Sequence, residues 1–142
     1  MDLNEVYAQF KPVWDEFGKG NAEPAKALYS HRDDATLANP FGPIARGWDE
    51  VSKTLDYASS RFSDGGLLSI DRIAEYATSE LVCLLDLEHW QVRVGERPDV
   101  EPVDLRVTTT LRREGDDWKI VHRHADPITS FDPNGPLRAS TG

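Results

Sequence analysis

Cysteine is nearly missing from this chain: Cys83 stands alone among 142 residues. A lone thiol excludes an internal disulfide and a cysteine-built zinc site. Its apolar setting, Leu81-Val82-Cys83-Leu84-Leu85, reads as a buried, inert thiol. No apolar run approaches the roughly 18 residues that a membrane span needs. Met1-Asp2-Leu3-Asn4-Glu5 also lacks the basic and then apolar opening of a secretory signal. These features point to a reducing, cytoplasmic setting with no membrane partner. Positive charge is short as well, with 16 basic against 25 acidic side chains and a net charge of -9. Such a surface repels phosphate backbones and anionic lipid, which argues against a nucleic-acid partner. No Gly-Lys-Ser/Thr phosphate loop occurs, and Gly18-Lys19-Gly20 follows a helical pattern rather than a strand, so it is no dinucleotide fingerprint. No internal repeat is evident, and no cofactor or metal site is implied.

What remains is ordinary globular composition, 39% hydrophobic and 29% charged, at a length that fits one domain. From Asp2 to Gly18 the residues Leu3, Val6, Tyr7, Phe10, Val13, Trp14 and Phe17 recur at three- and four-residue steps, which places them on one helix face. Pro12 within that pattern is expected to kink the helix or end its first segment. Asn21 can cap a short second helix over Ala22–Tyr29, and Ala35–Ala38 suits one strand. After the breaker stretch Asn39-Pro40-Phe41-Gly42-Pro43, a third helix is expected over Trp48–Phe62, closed by Ser63-Asp64-Gly65-Gly66.

From Leu67 the period becomes two. Leu67–Thr78, Leu81–Val94, Val103–Arg113 and Trp118–Ala125 read as strands joined by turns short enough for antiparallel neighbours. Helices followed by such a sheet give an α+β fold with the helices across one sheet face. Leu85 and Leu87 fall on one side of their strand and Val82, Leu84 and Trp90 on the other. Apolar residues on both sides suggest that the outer face meets a second copy, giving a homodimer.

Two stretches carry a family resemblance. Tyr29-Ser30-His31-Arg32-Asp33-Asp34-Ala35-Thr36-Leu37-Ala38-Asn39-Pro40-Phe41-Gly42 is similar to the segment of ketosteroid isomerases that bears the catalytic base. Arg106-Val107-Thr108, Leu111-Arg112-Arg113, Gly115 and Trp118-Lys119-Ile120-Val121-His122-Arg123-His124 resemble the terminal hairpin of SnoaL-like proteins and of the calcium/calmodulin-dependent kinase association domain. The resemblance implies an NTF2-like (cystatin-like) cone: three N-terminal helices packed on a curved antiparallel sheet, usually dimeric, around a pocket. It spans about residues 3 to 127, so the expected division is a domain over 1–127 and an irregular tail over 128–142.

Fold likeness alone licenses no activity, and one departure is informative. The isomerases carry an aspartate base immediately before Pro-Phe-Gly, whereas this chain carries Asn39, an amide without useful basicity. Val13 and Trp14 stand near the position of the family's tyrosine, and Arg106, Thr108 and Thr110 stand near its protonated acid, an arrangement that is a general worked example of pKa tuning. Steroid isomerase chemistry is therefore not expected.

The pocket parity of relatives selects Arg123 on the last strand, Arg106 and Thr108 on the strand before it, and Asp86, Glu88 and Trp90 on the strand from Leu81. Trp14, Asn39, Phe41, Trp48 and Tyr57 stand beside the roof of that pocket. Two arginines and a carboxylate in an apolar hollow would suit an anionic or polar-aromatic small molecule, although Asp86 and Arg106 could equally form a structural ion pair. The leading reading is a module that binds such a ligand without transforming it. The alternative is a cofactor-independent isomerase, cyclase or dehydratase, with Asp86 as base and His124 or Arg106 assisting. A pure assembly domain is the third. His122 and His124 alternate on one strand, yet no further ligand is placed beside them by spacing, so a metal is not expected.

Overall fold

The computed structural model describes residues 1–137. Its order is α1 (Leu3–Phe17), α2 (Glu23–Leu28), β1 (Thr36–Ala38), β2 (Ala45–Arg46), α3 (Trp48–Ser60), β3 (Phe62–Ala77), β4 (Leu81–Val94), β5 (Glu101–Glu114) and β6 (Asp117–Asp126). The six strands form one sheet in the order β2-β1-β6-β5-β4-β3. Pairing is antiparallel throughout except that β1 runs parallel to β6, with Leu37 beside Arg123. That return of an early strand to the last one was not legible from the turns. Residues 127–137 form no helix or strand, and the rest of the expected tail lies outside the described residues.

α1 begins because Asp2 caps it, its carboxylate accepting from the Glu5 N–H at 2.9 Å. Its apolar stripe, Val6, Phe10, Val13, Trp14 and Phe17, is buried against the sheet. Pro12 neither ends nor splits the helix. It sits on the exposed side, as does Ala8, whose carbonyl loses its helical donor to the proline ring and can turn to solvent. Each fully buried aliphatic side chain of the core, such as Leu55, Leu84 or Leu111, is worth about 1.5–3 kcal/mol of transfer free energy.

The expected glycine turn after α3 does not exist. β3 starts at Phe62 and runs through Gly65-Gly66, paired to β4. These glycines serve close approach instead: a Cβ on Gly65 would lie 1.9 Å from the Gln91 carbonyl oxygen, and one on Gly66 would lie 2.5 Å from the Asp15 carboxylate. Asp15 in turn accepts from the Leu67 N–H at 2.9 Å, fastening α1 to β3. β3 also carries register shifts between Leu67 and Ser69 and between Arg72 and Ala74, which curl the sheet around the helices.

Candidate ligand cavity

Strict alternation along β4 turns Val82, Leu84, Asp86, Glu88, Trp90 and Val92 toward the helices. On β6 the inward residues include Ile120, Arg123 and Ala125. Glu88 and Arg123 meet across the sheet in a two-pronged ion pair, with Arg123 Nη1 donating to Glu88 Oε2 at 2.8 Å and Nη2 to Oε1 at 2.7 Å. Their side chains are 2% and 8% exposed. The Trp90 indole N–H donates to Glu88 Oε1 at 3.0 Å, and the guanidinium lies 4.3 Å from the Trp14 ring centroid. Burial opposes the Arg123 charge, but Glu88 more than offsets it and holds the guanidinium protonated. Tyr29 Oη is buried nearby with no hydrogen-bond partner among the described residues. Burial first, and then the Glu88 charge, push its hydroxyl well above the usual range.

Above this layer lies a cavity of about 40 Å³, walled by Trp14, Phe17, Phe41, Phe62, Trp90 and Arg123, together with Leu and Ala side chains and Asn39. Most of the aromatic walls pack edge to face or tilted, as in Trp14–Phe17 at 5.3 Å and Phe41–Phe62 at 5.7 Å between centroids, while Phe62 and Trp90 stack at 5.8 Å. A wider bowl of about 370 Å³ opens outside it, between the β1–β2 loop and α3, and shares Asn39 and Phe41 with the inner cavity.

A family model described as the SnoaL-like domain matches residues 6–129. The chain belongs to that family. Solved structures similar to this SnoaL-like chain include an NTF2-like superfamily protein of Salmonella enterica, 15% identical with a TM-score of 0.76, over 94% of this chain and 93% of that one. A ketosteroid isomerase-like protein of Erwinia carotovora is 16% identical with a TM-score of 0.71, over 90% and 97%. A candidate calcium/calmodulin-dependent protein kinase type II association domain of Thiobacillus denitrificans is 18% identical with a TM-score of 0.66, over 88% and 90%. No curated protein matches this sequence. The α+β NTF2-like architecture expected from the sequence is thus the observed one.

Several expected site residues of this SnoaL-like chain lie elsewhere. Arg106 does not face the cone. The inward residues of β5 are Leu105, Val107, Thr109 and Leu111, so Arg106 and Thr108 stand on the outer face. Arg106 pairs there with Asp126 at 2.8 Å. The apolar alternation Val103, Leu105, Val107, Leu111 carried the correct parity, and the analogy to relatives displaced it by one residue. Asp86 is inward and 2% exposed, but its partner is Arg72 of β3, not Arg106, and it does not line the cavity. Burial pushes its carboxyl up, against the pull of Arg72. His124 is exposed on the outer face, on the opposite side of the sheet from Asp86. His122 is there too, bonded to Thr36 Oγ1 at 2.9 Å; burial, and then His124, lower its pKa.

Trp48 stacks on His31 at 3.7 Å, away from the cone, and Tyr57 lines the bowl, 56% exposed. Asn39 lines both spaces. Cys83 lies on the outward parity of β4 and is partly exposed rather than buried. The sequence does not single out Arg72, Tyr29 and Phe62: the bulges of β3 hide the parity of Arg72, and Phe62 falls at the end of the helical spacing but begins β3.

Proposed function

We propose that this SnoaL-like protein binds a small, neutral, planar aromatic molecule with one polar substituent at the aromatic cavity and the wider bowl that opens from it, and that two copies associate through the outer sheet face. The carrying observation is the aromatic cavity whose polar lining groups are the Asn39 amide and the Arg123 guanidinium. Because Glu88 already neutralises Arg123, and Arg106 points outward, the electrostatic reason for an anionic ligand is gone. The polar-aromatic reading stands. Neither lining group is a general base, and Asp86 is paired with Arg72 and does not line the cavity, so the arrangement favours binding over proton transfer.

The outer face supports self-association. Tyr76, Leu81 and Leu85 are 65%, 48% and 37% exposed, and Cys83, Leu87, Thr108 and Thr110 stand among them on the same side. The exposed apolar side chains gather toward the β3–β4 turn, where Tyr76 pairs with Cys83, and offer a patch that a second copy could cover. Among the described residues, no helix is long and apolar enough to cross a membrane.

Titration calorimetry with 1-naphthol tests the ligand reading. Wild type is expected to bind it, and Ala125→Leu, which fills the cavity from β6, is expected to weaken binding about tenfold or more while the circular dichroism spectrum is kept. Equal binding by both chains would remove the cone as the site. Sedimentation of Leu85→Asp tests the face: dissociation to monomer is expected, and an unchanged mass would refute the assigned surface.

A further inference from the structure

Phe41 stands between two spaces that share lining residues. On its inner side is the cavity of about 40 Å³, room for little more than a water molecule. On its outer side is the bowl of about 370 Å³, enough for a two-ring molecule, lined by Phe41, Ile44, Glu50, Lys53 and Tyr57. Its aromatic contacts are edge-on, to Phe62 at 5.7 Å and 66° and to Tyr57 at 6.2 Å and 80°, and the ring is only partly buried against the core. Tyr57 is itself exposed.

Its backbone, by contrast, is fixed. Asn39 Oδ1 accepts from the Phe41 N–H at 3.0 Å, and the residue between them is Pro40, whose ring fixes its own φ. The following residues, Gly42 to Ile44, are exposed. A pinned backbone bearing a half-buried ring can change rotamer without unfolding the loop.

We infer that bowl and cavity are two chambers of one ligand site and that Phe41 is the partition that decides which molecules join them. This rests on the binding reading above. The occupant is an elongated neutral molecule: one flat ring displaces Phe41 and meets Phe62 and Trp90, and the remainder stays in the bowl. Arg123 uses Nη1 and Nη2 on Glu88. None of its hydrogen bonds among the described residues engages Nε, which leaves that N–H for an acceptor on the inner ring. Phe41 is thus a specificity-determining residue that takes no part in chemistry.

The test is 1-naphthol added to the nitrogen-15-labelled chain. The reporters are the indole N–H signals of Trp14 and Trp90 for the inner chamber and the amides of Ile44 and Tyr57 for the bowl. In wild type both sets are expected to shift together. Phe41→Ala is expected to speed exchange between free and bound forms by about tenfold, and Phe41→Leu, which guards against loss of fold, by less. If the bowl amides shift while both indoles stay fixed in wild type and variant, the chambers are separate and the inference fails. If the indoles shift but exchange is the same in all three chains, Phe41 is a wall and the inference fails, while the binding reading survives. Absence of any shift at millimolar probe would sink both.

Discussion

At its middle, β4 inverts the usual arrangement of its two faces. Inward, beside the aromatic core, stand the carboxylates Asp86 and Glu88; outward stand Leu85 and Leu87. The inner carboxylates are tolerable because each meets a guanidinium, Arg72 and Arg123 respectively. The outer face instead carries partly exposed ionic clusters: Arg106 on Asp126, and His89 between Asp104 at 2.9 Å and Asp71 at 2.8 Å. The same residue types therefore do different work on the two sides. Inside, a broken pair strands a charge away from water; outside, water takes over.

The sharpest way to break this contrast is Arg123→Met. It leaves Glu88 buried with the Trp90 N–H as its remaining donor and should cost about 3–5 kcal/mol in urea unfolding. Adding Glu88→Gln, which keeps an acceptor for Trp90, should recover a large part of that loss. Its outer counterpart, Arg106→Ala, should cost less than about 1 kcal/mol. Equal losses at both arginines would dissolve the distinction between the faces.

A smaller effect of opposite sign is expected at Tyr29. Its hydroxyl is buried without a partner among the described residues, so Tyr29→Phe removes a desolvated group and should be neutral or stabilising by up to about 1 kcal/mol. A clear loss of stability would mean that the hydroxyl is satisfied in solution.

The smallest effect concerns pH. Asp104, and then Asp71, raise the His89 pKa above its ordinary value. A raised histidine contributes stability that is fully present below its unfolded pKa, about 6.5, and is lost as pH rises through the folded one. His89→Gln should therefore be less stable than wild type near pH 6, and the gap should close as pH rises through the raised folded pKa. A gap that widens with pH would reverse the assignment.

Much of the fold was legible because its periods are clean. The α1 stripe, the four long strands and the two-sided apolar pattern of β4 all follow from spacing. What failed has local physical causes. Gly65-Gly66 looked like a turn because close backbone approach and a turn demand the same residue, and the contact with Gln91 lies 26 positions away in sequence. Of the candidate residues, Trp14, Phe41, Trp90, Asn39 and Arg123 line one cavity. Arg106 was not placed correctly, because analogy overrode the apolar alternation of its own strand. Arg72 could not be read across two bulges, and the Glu88–Arg123 bond joins strands separated in the sheet by β5.

Arg123 reaches the cone already neutralised by Glu88, and the proposed preference for an uncharged guest rests on that pair. The direct measurement is calorimetry of 1-naphthol against 1-naphthoate under identical low-salt conditions. The ion pair predicts that naphthol binds at least about tenfold more tightly, since the carboxylate would lose its hydration without gaining a free cation. Tighter binding of naphthoate would show an available positive charge in the site and contradict the account.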